Sequence, residues 1–352
     1  MNFFKKAALS AAILLAAVSA SAADLPNVKI LATGGTIAGS AASATQTTGY
    51  EAGKIAIQTL IDAVPQIKEV ADVSGEQIVK ISSNNMDTPT LLKLAKRCNE
   101  LLAQKDVDGI VITHGTDTLE ETAYFLNLTV RSDKPVVLVG AMRPATAISA
   151  DGPMNLLNAV RVAVNKESVG KGVLVAMNDV INNARDVTKT NTTNVATFRA
   201  PDLGNIGYIA GGKIMYYKES LRRHTSKSEF DVSKLETLPR VDILYSHVDD
   251  DGVLARAAVA AGAKGIVHAG TGNGSIHQNT EKELVNAQKS GVVIVRSARV
   301  GTGPTVPSVA RYTEEKFLDG DTLSAQKARL LLQLALTKTS DLKEIQRMFD
   351  EY

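Results

Sequence analysis

Short aliphatic and β-branched runs alternate with helical patterns along most of this chain. The runs predict strands at residues 28–33, 77–82, 109–113, 135–140 and 172–176. Between them lie three helical patterns, one opening at Asp87 with Pro89 in its first turn, and two others at 118–128 and 152–165. This alternation is typical of βαβ units around a mostly parallel sheet.

The pattern loosens after residue 190 and then resumes as a second βα series. Polar and glycine-rich stretches between residues 191 and 240, including Gly211-Gly212-Lys213, predict irregular structure and a linker. Strands are predicted again at 241–245, 265–269 and 292–296, with helices at 252–263 and 323–337. We therefore predict an α/β protein in three parts: a larger N-terminal domain with a mostly parallel sheet (24–213), a linker (214–240) and a smaller C-terminal α/β domain (241–352).

The first 23 residues have the three regions of a secretory signal peptide. Lys5 and Lys6 make a basic start, residues 7–18 are apolar and uncharged, and Ala20-Ser21-Ala22 is a small-residue cleavage pattern. The alternative, a buried N-terminal helix, does not account for these flanks. We expect cleavage after Ala22 or Ala23 and export to a bacterial periplasm. No other stretch reaches the roughly 18 apolar residues that a membrane span needs.

Charge and composition narrow the class of partner. The net charge of +2 falls to zero once Lys5 and Lys6 are removed, which argues against nucleic acid or an anionic membrane as a partner. The single cysteine, Cys98, lies in a helical pattern and is predicted to be buried rather than reactive. The five histidines are scattered, and no Cys or His pair has zinc spacing, so we predict neither a metal nor a cofactor.

Two threonines follow predicted strands in similar glycine-containing segments. Thr36 lies in Thr-Gly-Gly-Thr-Ile-Ala-Gly (33–39) and Thr116 in Thr-His-Gly-Thr-Asp-Thr (113–118). Ligands of open α/β sheets bind beyond the carboxyl ends of the strands, so these hydroxyls are candidates for nucleophilic chemistry. The alternative is a phosphate-binding loop, but neither segment has the spacing of a dinucleotide fingerprint or a Walker loop.

The acid and the lysine near these loops have alternative interpretations. Asp117 could bind a substrate ammonium, orient a base, or cap the helix that follows. Lys189, in a polar segment, is either a solvated lysine or a base desolvated beside Thr116. The sequence alone leaves these alternatives open.

The chain closely resembles the bacterial type II L-asparaginases over residues 25–352. The resemblance rests first on ILATGGTIAG (30–39) and VITHGTDTLEETAYFL (111–126). It rests further on segments 139–144, 149–153, 185–191 and 269–274. It implies hydrolysis of L-asparagine to L-aspartate and ammonia through a threonine acyl-enzyme. The competing class is a periplasmic amino-acid binding protein without catalysis, which would have no use for paired threonine loops.

The resemblance also implies a role for each site residue. Thr36 matches the acylated nucleophile, and Tyr50, on a flap over residues 38–53, matches the tyrosine that hydrogen-bonds it. Thr116, Asp117 and Lys189 match a triad in which the aspartate holds the substrate ammonium. Three further matches bind substrate: Ser83 grips the α-carboxylate, the Ala141 carbonyl meets the side-chain amide, and Asn84 stands where relatives have Gln or Glu.

The family's homotetramer implies that a neighbouring subunit completes each site. Relatives supply a Glu shortly after the segment that is Arg296–Arg299 here, yet no acid occurs before Glu314 and Glu315. This departure places more of the chemistry on the Thr116-Asp117-Lys189 triad. Ser275, at another position contributed across the interface, is of the type found in members that tolerate glutamine. We therefore predict a secondary activity on L-glutamine.

Overall fold

The computed structural model describes residues 25–49, 51 and 53–352. The predicted signal peptide and Tyr50 lie outside the described residues. Ten strands belong to the N-terminal part: β1 (Asn27–Gly34), β2 (Asp72–Ile81), β3 (Gly109–Thr113), β4 (Val136–Val139), β5 (Val173–Met177), β6 (Val180–Asn183), β7 (Thr188–Lys189), β8 (Phe198–Arg199), β9 (Gly207–Ala210) and β10 (Lys213–Tyr216).

Eight of these strands form one sheet in the order β10-β9-β6-β5-β4-β3-β1-β2. The five neighbouring strands β2, β1, β3, β4 and β5 are parallel to one another. The strands β6, β9 and β10 extend the sheet beyond β5, each antiparallel to its neighbour. The strands β3, β4 and β5 are buried at every residue, because helices cover both faces of the sheet. β7 and β8 pair separately as a two-stranded ribbon.

Within the described residues, the α-helices of this part of the chain are α1 (Ile57–Asp62), α2 (Thr88–Leu102), α3 (Leu119–Thr129) and α4 (Gly152–Val164). The two faces of the sheet have separate cores. Alternate residues of β1 show this division, since Val28 and Ile30 pack with α1 and α4, whereas Leu31 packs with α2 and α3. Cys98 belongs to the α2 side and is buried as predicted; burial raises the pKa of its thiol.

The C-terminal part is built on a second, fully parallel sheet in the order β11-β12-β13-β14. Its strands are β11 (Val241–Tyr245), β12 (Gly265–Gly270), β13 (Val293–Ala298) and β14 (Leu318–Asp319). Its helices are α5 (Val253–Ala260), α6 (Gln278–Lys289), α7 (Ala310–Glu314), α8 (Ala325–Leu336) and α9 (Leu342–Glu351). α8 packs on α3, so one apolar core runs from the first sheet into the second.

The predicted fold class is confirmed, and most predicted elements lie within a few residues of their predicted bounds. The helix predicted to open at Asp87 is α2, whose Thr90 N–H donates to the Asp87 carboxylate at 2.9 Å. The prediction of irregular structure at Gly211-Gly212-Lys213 was wrong, because Gly211 and Gly212 form the turn of the β9–β10 hairpin and Lys213 begins β10. The division of the chain at residues 213 and 241 stays a prediction; β10 crosses the first of these boundaries.

Among the residues that the structure describes, no helix has the length and apolar character needed to cross a bilayer. Within the same residues, no group of three or more His, Cys, Asp or Glu side chains could hold a metal ion.

Candidate active site

The two threonine loops meet where the connections of the first sheet reverse direction. Its parallel strands have the order β2-β1-β3-β4-β5, so the chain leaves the neighbouring strands β1 and β3 toward opposite edges. Such a switch point opens a crevice at the carboxyl ends of the strands. Thr36 lies just beyond the end of β1, and Thr116 lies just beyond the end of β3.

Glycines allow the loops after β1, β2 and β3 to pack backbone against backbone. A Cβ on Gly35 would lie 2.3 Å from Gly115 Cα, and one on Gly115 would lie 2.5 Å from Ser83 Oγ. Gly35 also has a φ of 81°, which side-chain-bearing residues rarely adopt. The two glycines therefore bring Thr36, Ser83 and Thr116 to one place.

Lys189 reaches the second threonine loop from β7. Its Nζ donates to Thr116 Oγ1 at 3.0 Å and to Asp117 Oδ1 at 2.7 Å. The lysine side chain is only 18% exposed, so it is not a solvated lysine. Asp117 does not cap the following helix, since α3 has no side-chain cap hydrogen bond. The sequence left open whether Lys189 is solvated or lies beside Thr116, and in the structure it lies beside Thr116 and Asp117.

A buried histidine fixes the backbone beside Thr116. His114 is fully buried; its Nδ1 is 2.7 Å from the Gly115 carbonyl and its Nε2 is 2.9 Å from Thr122 Oγ1. Burial lowers the pKa of His114 to about 4, so the ring is neutral near pH 7. Because a carbonyl only accepts, the proton is assigned to Nδ1, and Thr122 donates to Nε2. This pairing holds the Gly115–Thr116 peptide in one orientation.

Ser83 lies just after β2 and Ala141 just after β4, and their predicted contacts with substrate stay predictions. Ser83 is buried, and its Oγ accepts a hydrogen bond from the Asp117 N–H at 3.2 Å. Ala141 is buried just after β4. Asn84 is exposed, and its amide donates to Asn85 Oδ1 at 3.2 Å. It does not line the cleft described next.

A cleft of about 630 Å³ opens over the two threonine loops. Four of the predicted residues, Thr36, Thr116, Asp117 and Lys189, line it. Three more lining residues, Thr47, Thr48 and Gly49, lie on the predicted flap over residues 38–53. The sequence analysis did not single out the others, which are Ser82, Met142, Arg143, Thr192 and Thr193. A signal for several of them existed, because Arg143 lies within segment 139–144 and Thr192 directly follows segment 185–191.

The segment after Arg299 supplies no acid to this cleft within the subunit. Gly303 N donates to the Asp202 carboxylate at 3.0 and 3.1 Å, which ties the segment to the N-terminal domain. Glu314 ends the short helix α7 and Glu315 follows it, and neither lines the cleft. Ser275 is exposed on the loop after β12 and also lies outside the cleft lining.

Paired threonine loops at the switch point of an α/β sheet define a class of enzyme suited to acyl transfer. The chain matches the family model described as Asparaginase, N-terminal, over residues 27–222. It also matches the model described as Glutaminase/Asparaginase C-terminal domain over residues 240–349. The chain therefore belongs to the asparaginase family, as the resemblance predicted.

Named relatives support this membership. The chain is 58% identical to L-asparaginase 2 of Bacillus subtilis, covering 94% of this chain and 87% of the relative. It is 53% identical to the Haemophilus influenzae protein named "Probable L-asparaginase periplasmic", covering 95% of each. It is 48% identical to the glutaminase-asparaginase of Pseudomonas fluorescens, covering 97% and 96%.

A solved structure is similar over the same length. It is a probable cytoplasmic L-asparaginase from Campylobacter jejuni, with a TM-score of 0.91 and 55% identity, covering 93% of this chain and 100% of that one.

Proposed function

We propose that this enzyme hydrolyses L-asparagine to L-aspartate and ammonia through a threonine acyl-enzyme, with a secondary activity on L-glutamine. The observation that supports this most directly is the meeting of Thr36, Thr116, Asp117 and Lys189 in one cleft of an asparaginase-family chain. The secondary activity is supported by the glutaminase-asparaginase relative and by the family description of the C-terminal domain.

In the first step, the Thr36 hydroxyl attacks the side-chain amide carbon of the substrate. The proton that the nucleophile gives up passes to Thr116, and Thr116 passes its own proton to Lys189 Nζ, 3.0 Å away, which takes part as a neutral amine. Negative charge then develops on the amide oxygen, and backbone N–H groups of the glycine loops are suited to stabilise it. The C–N bond breaks, the nitrogen takes up a proton, and ammonia leaves an ester on Thr36.

In the second step, water attacks this ester and releases L-aspartate and the free hydroxyl. Closure of the flap over residues 38–53 would exclude bulk water and bring Tyr50 to the nucleophile. Asp117, which is 58% exposed and turns one oxygen to Lys189, holds the substrate ammonium. Ser83 binds the α-carboxylate, and the Ala141 carbonyl accepts a hydrogen bond from the side-chain amide.

The proposal extends to location and assembly. Residues 1–23 direct the protein to the periplasm, the location printed in the name of the Haemophilus relative. The functional unit is a homotetramer in which neighbouring subunits complete each site, including through Ser275. Because the acid expected after Arg299 is absent, the Thr116-Asp117-Lys189 triad activates both the nucleophile and the water.

Ammonia release from L-asparagine by the purified mature protein tests the activity. Thr36→Ala should abolish turnover, whereas Thr129→Ala is the matched control, because its buried hydroxyl donates to the Phe125 carbonyl outside the cleft. Mass spectrometry of peptides from quenched turnover should locate the ester on Thr36. Wild-type turnover by Thr36→Ala would reject this nucleophile, and binding of asparagine without ammonia would favour the binding-protein alternative.

Comparing kcat/KM for the two amides tests the second substrate. We expect measurable glutamine hydrolysis below the rate for asparagine. Undetectable glutamine hydrolysis at millimolar substrate would reject the secondary activity and leave the primary one intact.

A further inference from the structure

The backbone N–H of Lys189 is bound by a buried carboxylate. Lys189 N donates to Glu120 Oε2 at 2.7 Å, and Glu120, in the first turn of α3, is only 5% exposed. The β7–β8 ribbon that carries Lys189 is two residues long on each strand. So short a ribbon has little stability of its own, so the position of Lys189 depends on contacts from outside.

The other oxygen of this carboxylate is bound from the C-terminal domain. Gln326 Nε2, in the first turn of α8, donates to Glu120 Oε1 at 2.6 Å. Each carboxylate oxygen thus has one donor. Turning the carboxylate away from either would leave a buried polar atom unpaired, which is costly. Gln326 therefore sets the direction of the group that binds the Lys189 N–H.

The next residue of α8 holds the segment that leads into β7. Lys327 Nζ is buried and donates to the carbonyls of Ala184, Arg185 and Val187, which uses all three donors of the ammonium. Burial lowers the pKa of Lys327 to about 8. The first turn of α8 therefore supports this region at two points. One is the Lys189 N–H, reached through Glu120, and the other is the segment 184–187 before β7, reached directly by Lys327.

We propose that Gln326 is a positioning residue for Lys189: through Glu120 it sets where the Lys189 backbone lies and whether Nζ reaches Thr116 Oγ1. Gln326 lies outside the lining of the threonine cleft, so its effect on the reaction is expected through this chain of contacts. The proposal rests on the proposed function, because it assumes that Lys189 takes part in catalysis.

Two glutamine-to-methionine variants on one helix test the proposal. Gln326→Met removes the amide donor and keeps the side-chain length. Gln333→Met is the matched control, because Gln333 lies on the same helix and donates to the Pro239 carbonyl at 3.1 Å. We expect Gln326→Met to lower kcat for L-asparagine about tenfold with KM within about twofold, since a partly displaced catalytic group costs rate more than binding. Gln333→Met should keep the wild-type kcat.

A reversed pair provides a rescue. Gln326→Glu alone places two carboxylates against each other and leaves Glu120 Oε1 without its donor, and should lower kcat about tenfold. Glu120→Gln combined with Gln326→Glu restores a hydrogen bond between the two side chains and an acceptor for the Lys189 N–H. Recovery of most of the lost kcat is expected. A double variant no faster than Gln326→Glu would contradict the proposal.

Amide hydrogen exchange gives a readout that does not depend on turnover. The Lys189 amide should exchange faster in Gln326→Met than in wild type or Gln333→Met, with urea midpoints measured for all three. Equal exchange and equal kcat in the two methionine variants would overturn the proposal. A wild-type protein that releases no ammonia from asparagine would instead reject the proposed function, and the exchange comparison would still decide whether Gln326 positions Lys189.

Discussion

Replacing Gly35 by alanine should separate the two threonine loops. The added methyl group would lie 2.3 Å from both Gly115 Cα and Gly115 N, whereas ordinary contacts lie at 3.4–4 Å. Both obstructing atoms are backbone, so no side-chain rotation relieves the overlap. The loops after β1 and β3 must therefore move apart by more than about 1 Å, which is the scale at which catalytic geometry fails.

The magnitude follows from two separate costs. A left-handed φ costs an alanine about 1–2 kcal/mol, and forcing a methyl group into a packed site costs about 1–3 kcal/mol more. Gly170→Ala is the control for a positive φ without crowding, because Gly170 has a φ of 75° and a methyl group there meets nothing within 4 Å. We expect Gly35→Ala to lower the free energy of unfolding by about 1–3 kcal/mol more than Gly170→Ala does.

Urea unfolding and ammonia release measure the two consequences on the same preparations. Because loop separation also displaces Thr36 from Thr116, kcat/KM for L-asparagine should fall about 100-fold in Gly35→Ala and stay near wild type in Gly170→Ala. If the two variants unfold at the same urea concentration and both retain activity, the close packing of Gly35 on Gly115 does not align the threonines.

Three further predictions concern stability. Burial lowers the pKa values of His114 and His268 to about 4, whereas the unfolded chain protonates them near 6.5. Each histidine therefore contributes about 3 kcal/mol to the free energy of unfolding above pH 6.5, and this contribution is lost as the pH falls toward 4. Urea titrations across that pH range should show a smaller loss of stability in a His268→Leu variant than in wild type. Arg296→Met should lower the free energy of unfolding by about 3–5 kcal/mol, because it leaves the Asp319 carboxylate, 3.3 Å from the guanidinium, without its buried cation. Asp87→Ala should cost about 1 kcal/mol by removing the cap of α2, which thermal unfolding would detect.

Elements with a strong local pattern were predicted from the sequence, and elements defined by their neighbours were not. β3 is a continuous apolar run between turn signals, and its predicted bounds are those observed. β2 begins at Asp72, five residues before the prediction, because its first half is an edge strand with polar, exposed residues. The β9–β10 hairpin contains a Gly-Gly turn that is also typical of a linker, so only its pairing with β6 identifies it.

The residues of the candidate site also fall into those that a local pattern predicts and those that only packing brings together. The threonine loops could be located because each combines a strand pattern with glycines, which are local features. The residues that position the Lys189 backbone could not be derived from the pattern, because Glu120 lies 69 positions away and Gln326 lies on a helix of the other domain. Their meeting depends on how α3 and α8 pack, and an apolar helix face does not specify which polar residues at its end will touch.

Under the proposed function, we expect the charges in the cleft to link substrate binding to activation of Lys189. Among the described residues that line the cleft, Asp117 is the only carboxylate, and it already binds Lys189 Nζ at 2.7 Å. A substrate ammonium at Asp117 would share that charge and weaken its hold on the amine, which would leave Nζ freer to act on Thr116. Succinamic acid, which lacks the α-amino group, should therefore show a kcat at least about tenfold below that of L-asparagine in addition to a higher KM. In Asp117→Asn the pair is already broken, so the two substrates should differ far less in kcat. Equal kcat values for both substrates in the wild-type enzyme would show that Asp117 only binds the ammonium and that Lys189 is active without it.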